Sequence, residues 1–185
     1  MMKTLSLSEV KMKLSHFIED VSATDNTISI TRNGESVAVL LSSKIFDGWE
    51  ETLHILRDVN FYKRVADNLR SIDRGEGLSL AFSELFKELN LRDIDKSHSV
   101  QRVKILPEVR DQLISLDPVV QRKLAESLVR LGTEHVEQVE LREPLEGVMS
   151  LHSGKYKVIY RWKLRTVEII ALDLRETAYR EAIRI

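Results

Sequence analysis

Residues 28–41, ISITRNGESVAVLL, decide how the first third of this chain folds. Two β-rich runs, Ile28–Thr31 and Ser36–Leu41, flank Asn33-Gly34. An Asn-Gly pair between such runs is a strong hairpin signal, because both residues accept positive φ in a two-residue turn. Arg32 is left at the tip of the hairpin. An Arg there either solubilises the turn or offers a positioned cation to a phosphate or a base.

Working outward, residues 3–5 read as a short strand. Ser6-Leu7-Ser8-Glu9 has the spacing of a capping box, with Ser6 as N-cap and Glu9 three residues on. The helix that follows places Leu7, Val10, Leu14, Phe17, Ile18 and Val21 at helical spacing, with Lys11 and Lys13 off the stripe. After the hairpin, Ser42 or Ser43 can cap a second helix through Ile45, Phe46, Trp49, Leu53 and Leu56. Residues 1–57 thus read as a small βαββα unit, and so short a unit is expected to dimerise. Residues 58–98 change character. One amphipathic helix runs through Val59, Tyr62, Val65, Ala66 and Leu69. After a Gly75-Glu76-Gly77 break, Leu78–Leu91 reads as a second helix. With no sheet of their own, the two helices either wrap a partner surface or form an ordinary helical subdomain. Residues 92–99, RDIDKSHS, read as a linker. Residues 99–185 then give a strand (Val100–Leu106), helices from Pro107 and Pro118, and a three-strand meander (Gly147–Leu151, Lys155–Lys163, Thr166–Leu172). That β-α-α-β-β-β order reads as α+β, with both helices on one face of an antiparallel sheet.

The 185 residues are 43% hydrophobic and 6% aromatic, with a net charge of −1. There is core-forming material but no global basic signature, so any nucleic-acid contact has to use local patches. The chain has no cysteine, which excludes disulfides and thiolate chemistry and suits a cytoplasmic protein. No run approaches the length of a membrane span. The five histidines are isolated in sequence, and there is no phosphate loop or nucleophile elbow, so neither a metal nor a cofactor is expected.

Chemistry-bearing residues gather in the last unit. Within Tyr156–Arg161, alternation puts Lys157 and Ile159 on one face and Tyr156, Val158 and Tyr160 on the other. His152 lies near the end of the preceding strand, and Arg175 and Tyr179 follow the last one. Such a set either decorates a solvated sheet or suits an RNA backbone, with cations stabilising phosphorane charge and His or Tyr moving protons.

Two family resemblances join these readings. Leu5-Ser6-Leu7-Ser8-Glu9, Ile30-Thr31-Arg32-Asn33-Gly34 and Val37-Ala38-Val39-Leu40 resemble the Phd/YefM antitoxins. That resemblance implies a dimer that binds operator DNA through its N-terminal half and silences a toxin with its C-terminal segment. Lys11, Arg32 and Asn33 would then meet DNA. The family often has Arg where Lys11 stands, and Lys keeps the charge without the bidentate fork.

Residues 99–185 resemble the RelE/ParE toxins through the two-helix hairpin, Gly154–Tyr160 and Arg175-Glu176-Thr177-Ala178-Tyr179-Arg180. RelE-type members cleave mRNA on the ribosome without a metal, and ParE-type members target gyrase. The resemblance implies a site of Lys157, Arg175, Tyr179 and His152. Lys157 stands where the family usually has Arg. Ser150 and His152 stand where RelE-type nucleases often carry Lys or Arg, which weakens phosphate stabilisation.

The combined expectation is a type II toxin–antitoxin fusion. Residues 1–57 would bind operator DNA, 58–98 would link the halves and neutralise the toxin-like unit, within one chain or swapped between two, and 99–185 would be a self-inhibited mRNA endonuclease. The alternatives are a DNA-binding regulator with an inactive toxin-like half, or a silenced gyrase inhibitor.

Overall fold

Strand β1 (Met2–Ser6) pairs in parallel with β2 (Thr27–Arg32), and β2 pairs antiparallel with β3 (Glu35–Leu40). The computed structural model describes residues 2–91, 102–131 and 138–174. By internal packing the chain divides into two units, residues 1–50 and 51–185.

In the first unit, helices α1 (Leu7–Met12) and α2 (Leu14–Ala23) connect β1 to β2. A parallel strand pair requires such a crossover. The helix expected from Leu7 to Val21 is therefore two helices, broken at Lys13, where no Gly or Pro marks the break. The capping box forms as the spacing predicts. Ser6 N and Oγ donate to Glu9 Oε2 at 3.0 and 2.8 Å, and Glu9 N donates to Ser6 Oγ at 3.2 Å. These hydrogen bonds from Ser6 hold the exposed Glu9 carboxyl below its usual range. The core consists of Val10, Phe17, Val21 and Ile28, with Leu5, Ile30 and Leu40 packed partly against it.

Helix α3 (Ser43–Arg57) is capped by Ser42, whose Oγ accepts from Ile45 N at 3.2 Å. Its buried positions include Ile45, Thr52 and Ile55, while Phe46, Trp49 and Leu53 are exposed. The apolar stripe read from sequence is therefore largely the outer one.

The second unit is built on a six-stranded sheet in the order β4-β5-β9-β8-β7-β6. Its strands are β4 (Leu78–Ala81), β5 (Arg102–Ile105), β6 (Gln138–Glu140), β7 (Met149–Ser153), β8 (Tyr156–Lys163) and β9 (Thr166–Leu174). The expected antiparallel meander is present as β7-β8-β9, but β5 joins it in parallel alongside β9. The sheet is therefore mixed. The expected second helix over Leu78–Leu91 is also corrected. Leu78–Ala81 is a strand paired with β5, and only Phe82–Glu88 (α5) is helical. Gly77, at φ 101°, makes this turn possible, because a Cβ there would lie 3.2 Å from the Ile105 carbonyl oxygen.

Helix α4 (Val59–Asp73) packs on β9, as does α6 (Pro107–Ile114), while α7 (Pro118–Val129) packs on β7. Val167–Leu172 are all buried, so both faces of β9 are covered rather than one. Polar contacts fasten α4 along its length. Arg64 donates to Asp173 at 2.7 Å, Asn68 to the Ile170 carbonyl at 2.8 Å, and Lys104 to the Ile72 carbonyl at 2.9 Å. Asp73 accepts from Arg161 at 2.6 Å, and Arg161 also pairs with the buried Glu168. The expected linker, residues 92–99, lies outside the described residues. Among the described residues, no helix is long and apolar enough to cross a membrane.

Candidate functional site

In the first unit, Arg32 ends β2 and faces Glu35 across the hairpin. Asn33 and Gly34 take φ 54° and 85°, the positive pair that a type I′ turn needs. Arg32 and Asn33 are exposed, and so is Lys11 near the end of α1. These polar groups are available to a ligand on a short, rigid turn and a capped helix.

In the second unit, strand register assembles a different cluster. His152 on β7 is the direct cross-strand partner of Lys157 on β8. Ser150 lies two residues before His152 and so shares its face. Ser150, His152 and Lys157 therefore project to one side of the sheet, and all three are buried. That corrects the expected open sheet face.

The group they meet is Glu51 of α3. Ser150 Oγ donates to Glu51 Oε1 at 2.9 Å. His152 Nε2 stands 3.3 Å from Glu51 Oε2, and Lys157 Nζ stands 3.8 Å from Oε1. Burial pushes the Glu51 carboxyl up. The contact and charge of His152, the Lys157 ammonium and the Ser150 hydroxyl together outweigh burial and hold it at about 2. Lys157 also lies over the Phe61 ring, 5.1 Å from its centroid, and Arg64 sits at 5.2 Å from the same ring. One residue along α3, Thr52 Oγ1 accepts from the Arg142 backbone N–H at 2.8 Å. Ile55, fully buried, fills the core of the same unit.

Of the four residues expected at a nuclease site, Lys157 and His152 come together, while Arg175 and Tyr179 lie outside the described residues. Glu51 and Phe61 were not foreseen. Spacing alone makes Glu51 look solvated among the polar residues of α3, so no local signal marks it. Among the described residues, no group of three His, Cys, Asp or Glu is placed to hold a metal ion.

Comparison with known proteins places the first part of the chain. Residues 2–75 match the family described as "Antitoxin Phd_YefM, type II toxin-antitoxin system". Antitoxin RelB of Mycobacterium tuberculosis (strain ATCC 25618 / H37Rv) is 33% identical over 78 residues, which are 42% of this chain and 88% of that protein. Antitoxin YefM of Escherichia coli (strain K12) is 32% identical over 76 residues, 41% of this chain and 92% of that protein. Among solved structures, a chain of the toxin-antitoxin complex RelBE2 from Mycobacterium tuberculosis aligns with a TM-score of 0.41 and 30% identity. The alignment covers 49% of this chain and 97% of that one. The chain spans 88% and 92% of the lengths of the two antitoxins. Through residues 2–75, this chain belongs to the Phd/YefM antitoxin family of type II toxin–antitoxin systems.

Proposed function

We propose that this chain is an antitoxin fused to its own target, with residues 1–57 on operator DNA and 58–98, joined by Glu51 near the end of the first segment, silencing residues 99–185 in cis. The observation that carries this reading is where the antitoxin-matched segment lands. Glu51 and helix α4, both inside the match, pack against the strands that hold His152, Lys157 and Asp173. An antitoxin segment docked on cation-bearing strands is what a neutralised toxin requires. Beyond residue 99 the expected β-α-α-β-β-β order is extended by one short strand, β6, giving β-α-α-β-β-β-β, and this order supports the reading of a RelE-like unit. Its site would comprise Lys157, His152, Arg175 and Tyr179 and would act on ribosome-bound mRNA without a metal. Tethering holds inhibitor and target at an effective concentration of roughly millimolar.

On the DNA side, Lys11, Arg32 and Asn33 are the contacts, and the DNA-binding form is a dimer. Self-association is supported by the thin core of the first unit and by Val37 and Val39, which are exposed on the edge strand β3. Apolar side chains on an unpaired edge are stabilised when a second chain covers them.

A second reading has its own support. Ser150 and His152 occupy positions where a RelE-type nuclease would carry cations, so the C-terminal unit is an inactive scaffold of a DNA-binding regulator. Expression of residues 99–185, alone and with residues 1–98 supplied as a separate chain, decides between them. The fusion reading expects growth arrest and cleavage of translated mRNA from the fragment alone, both relieved by residues 1–98. A folded, soluble fragment that causes no arrest removes the toxin reading and leaves the regulator. Arrest without mRNA cleavage but with loss of supercoiling activity would indicate a gyrase target.

A further inference from the structure

The contact of Glu51 with Ser150, His152 and Lys157 has the composition of an anion site with its anion built into the chain. Two strands supply a hydroxyl, an imidazole and an ammonium on one face, through the His152–Lys157 cross-strand pair and the i, i+2 step to Ser150. The side chains of His152 and Lys157 are 2% and 10% exposed, so solvent does little to neutralise this face. Cationic groups are rarely buried in this way without a partner of opposite charge. Glu51 brings two oxygens, one to Ser150 and Lys157 and the other to His152. A carboxylate and a phosphate present the same thing to such donors, namely paired oxygens sharing negative charge.

We propose that Glu51 is a resident substitute for a phosphodiester, and that Ser150, His152 and Lys157 form a phosphodiester-binding site that opens when residue 51 leaves it. The inference rests on the reading of residues 99–185 as a nucleic-acid-directed unit and names the group by which that unit is silenced. Thr52 and Ile55 act as positioning residues. Thr52 takes the Arg142 N–H and Ile55 enters the core, so the turn of α3 carrying Glu51 is anchored to the same unit as the strands. The segment that matches an antitoxin thereby fills the site by charge as well as by coverage.

The test uses the full chain and two small probes, inorganic phosphate and dimethyl phosphate, each against chloride at equal ionic strength. The readout is the thermal midpoint of wild type, Glu51→Ala, Glu51→Gln, and each variant combined with Lys157→Met. Wild type should show no phosphate-specific gain, because its site is filled. Glu51→Ala should gain about 3–6 °C at probe concentrations well above Kd. Glu51→Gln, which keeps the shape and removes the charge, should gain less. Lys157→Met should abolish the gain in either background. If Glu51→Ala does not fold, the Glu51→Gln pair decides. No gain in a folded Glu51 variant overturns the proposal, as does a gain that survives Lys157→Met. A gain with inorganic phosphate and none with dimethyl phosphate overturns the assignment to a phosphodiester. None of these readouts depends on toxicity, so their failure and the failure of the growth-arrest experiment are separate events.

Discussion

Val37 and Val39 on β3 are 56% and 50% exposed, whereas Val167 and Ile169 on β9 are 0% and 2% exposed. Each pair consists of β-branched residues two apart on a strand, so residue type does not separate them. Strand position does. β3 is an edge of a three-stranded sheet, and β9 is an inner strand of a six-stranded one with helices packed against it. The first unit closes its core around a cluster of four buried side chains and leaves Val37 and Val39 exposed. The second carries its own partner, because α4 and β4 complete the sheet and cover it within one chain. The two units thus differ in how sheet surface is treated: the first leaves the apolar side chains of an edge strand exposed, and the second covers its inner strand with segments of the same chain.

The sharpest way to break this comparison is to hollow out the second unit. Phe61 is 1% exposed and lies beneath Lys157 and Arg64. Phe61→Ala should cost about 3–5 kcal/mol in urea unfolding, independently of protein concentration. A concentration-dependent loss would mean that this unit also depends on a second copy. The transition of the first unit should instead move to higher urea as protein concentration rises. A fixed midpoint there would remove the dimer.

Acid addresses the charge that holds the second unit together. The Glu51 carboxyl is lowered from about 4.5 to about 2, so its contribution, on the order of 3 kcal/mol, is fully present above pH 4.5. As pH falls below 4.5 the unfolded chain takes up a proton that the folded one refuses, and the contribution is lost as pH approaches 2. Glu51→Gln should flatten the acid limb of the stability curve in that window. An unchanged limb would show that Glu51 is not a principal acid-sensitive group.

Smaller effects sharpen the account of the first unit. Ser6→Ala removes the cap that pairs with Glu9 and should cost about 1 kcal/mol of that unit's stability. Arg32→Ala should change stability by less than about 0.5 kcal/mol, since the side chain is exposed at the hairpin tip. It should still weaken operator binding and lower the salt slope by about 1. Unchanged DNA affinity and slope would mean that Arg32 only solubilises the turn.

Several features were legible because their causes are local. The Ser6–Glu9 capping box, the Asn33-Gly34 turn and the Pro107 and Pro118 helix starts each depend on residues within a few positions of one another. So do the three strands of the meander. Helix α3 shows the limit. Its sequence contains two plausible apolar stripes, one with Phe46, Trp49 and Leu53 and one with Ile45 and Ile55, and periodicity alone does not choose between them. Leu78–Ala81 is another case, since four residues declare themselves a strand only when β5 is beside them.

The sequence by itself determined the hairpin, the capped first helix, the antitoxin resemblance and the identity of Lys157 and His152 as residues of interest. Their chemistry follows from residue type and short-range spacing. Only the tertiary structure decided that β5 runs parallel to β9, that α4 lies against β9 and that a carboxylate from residue 51 sits among side chains 99 to 106 positions later. Such contacts are selected by the burial and charge balance of the whole fold, which no window of sequence contains.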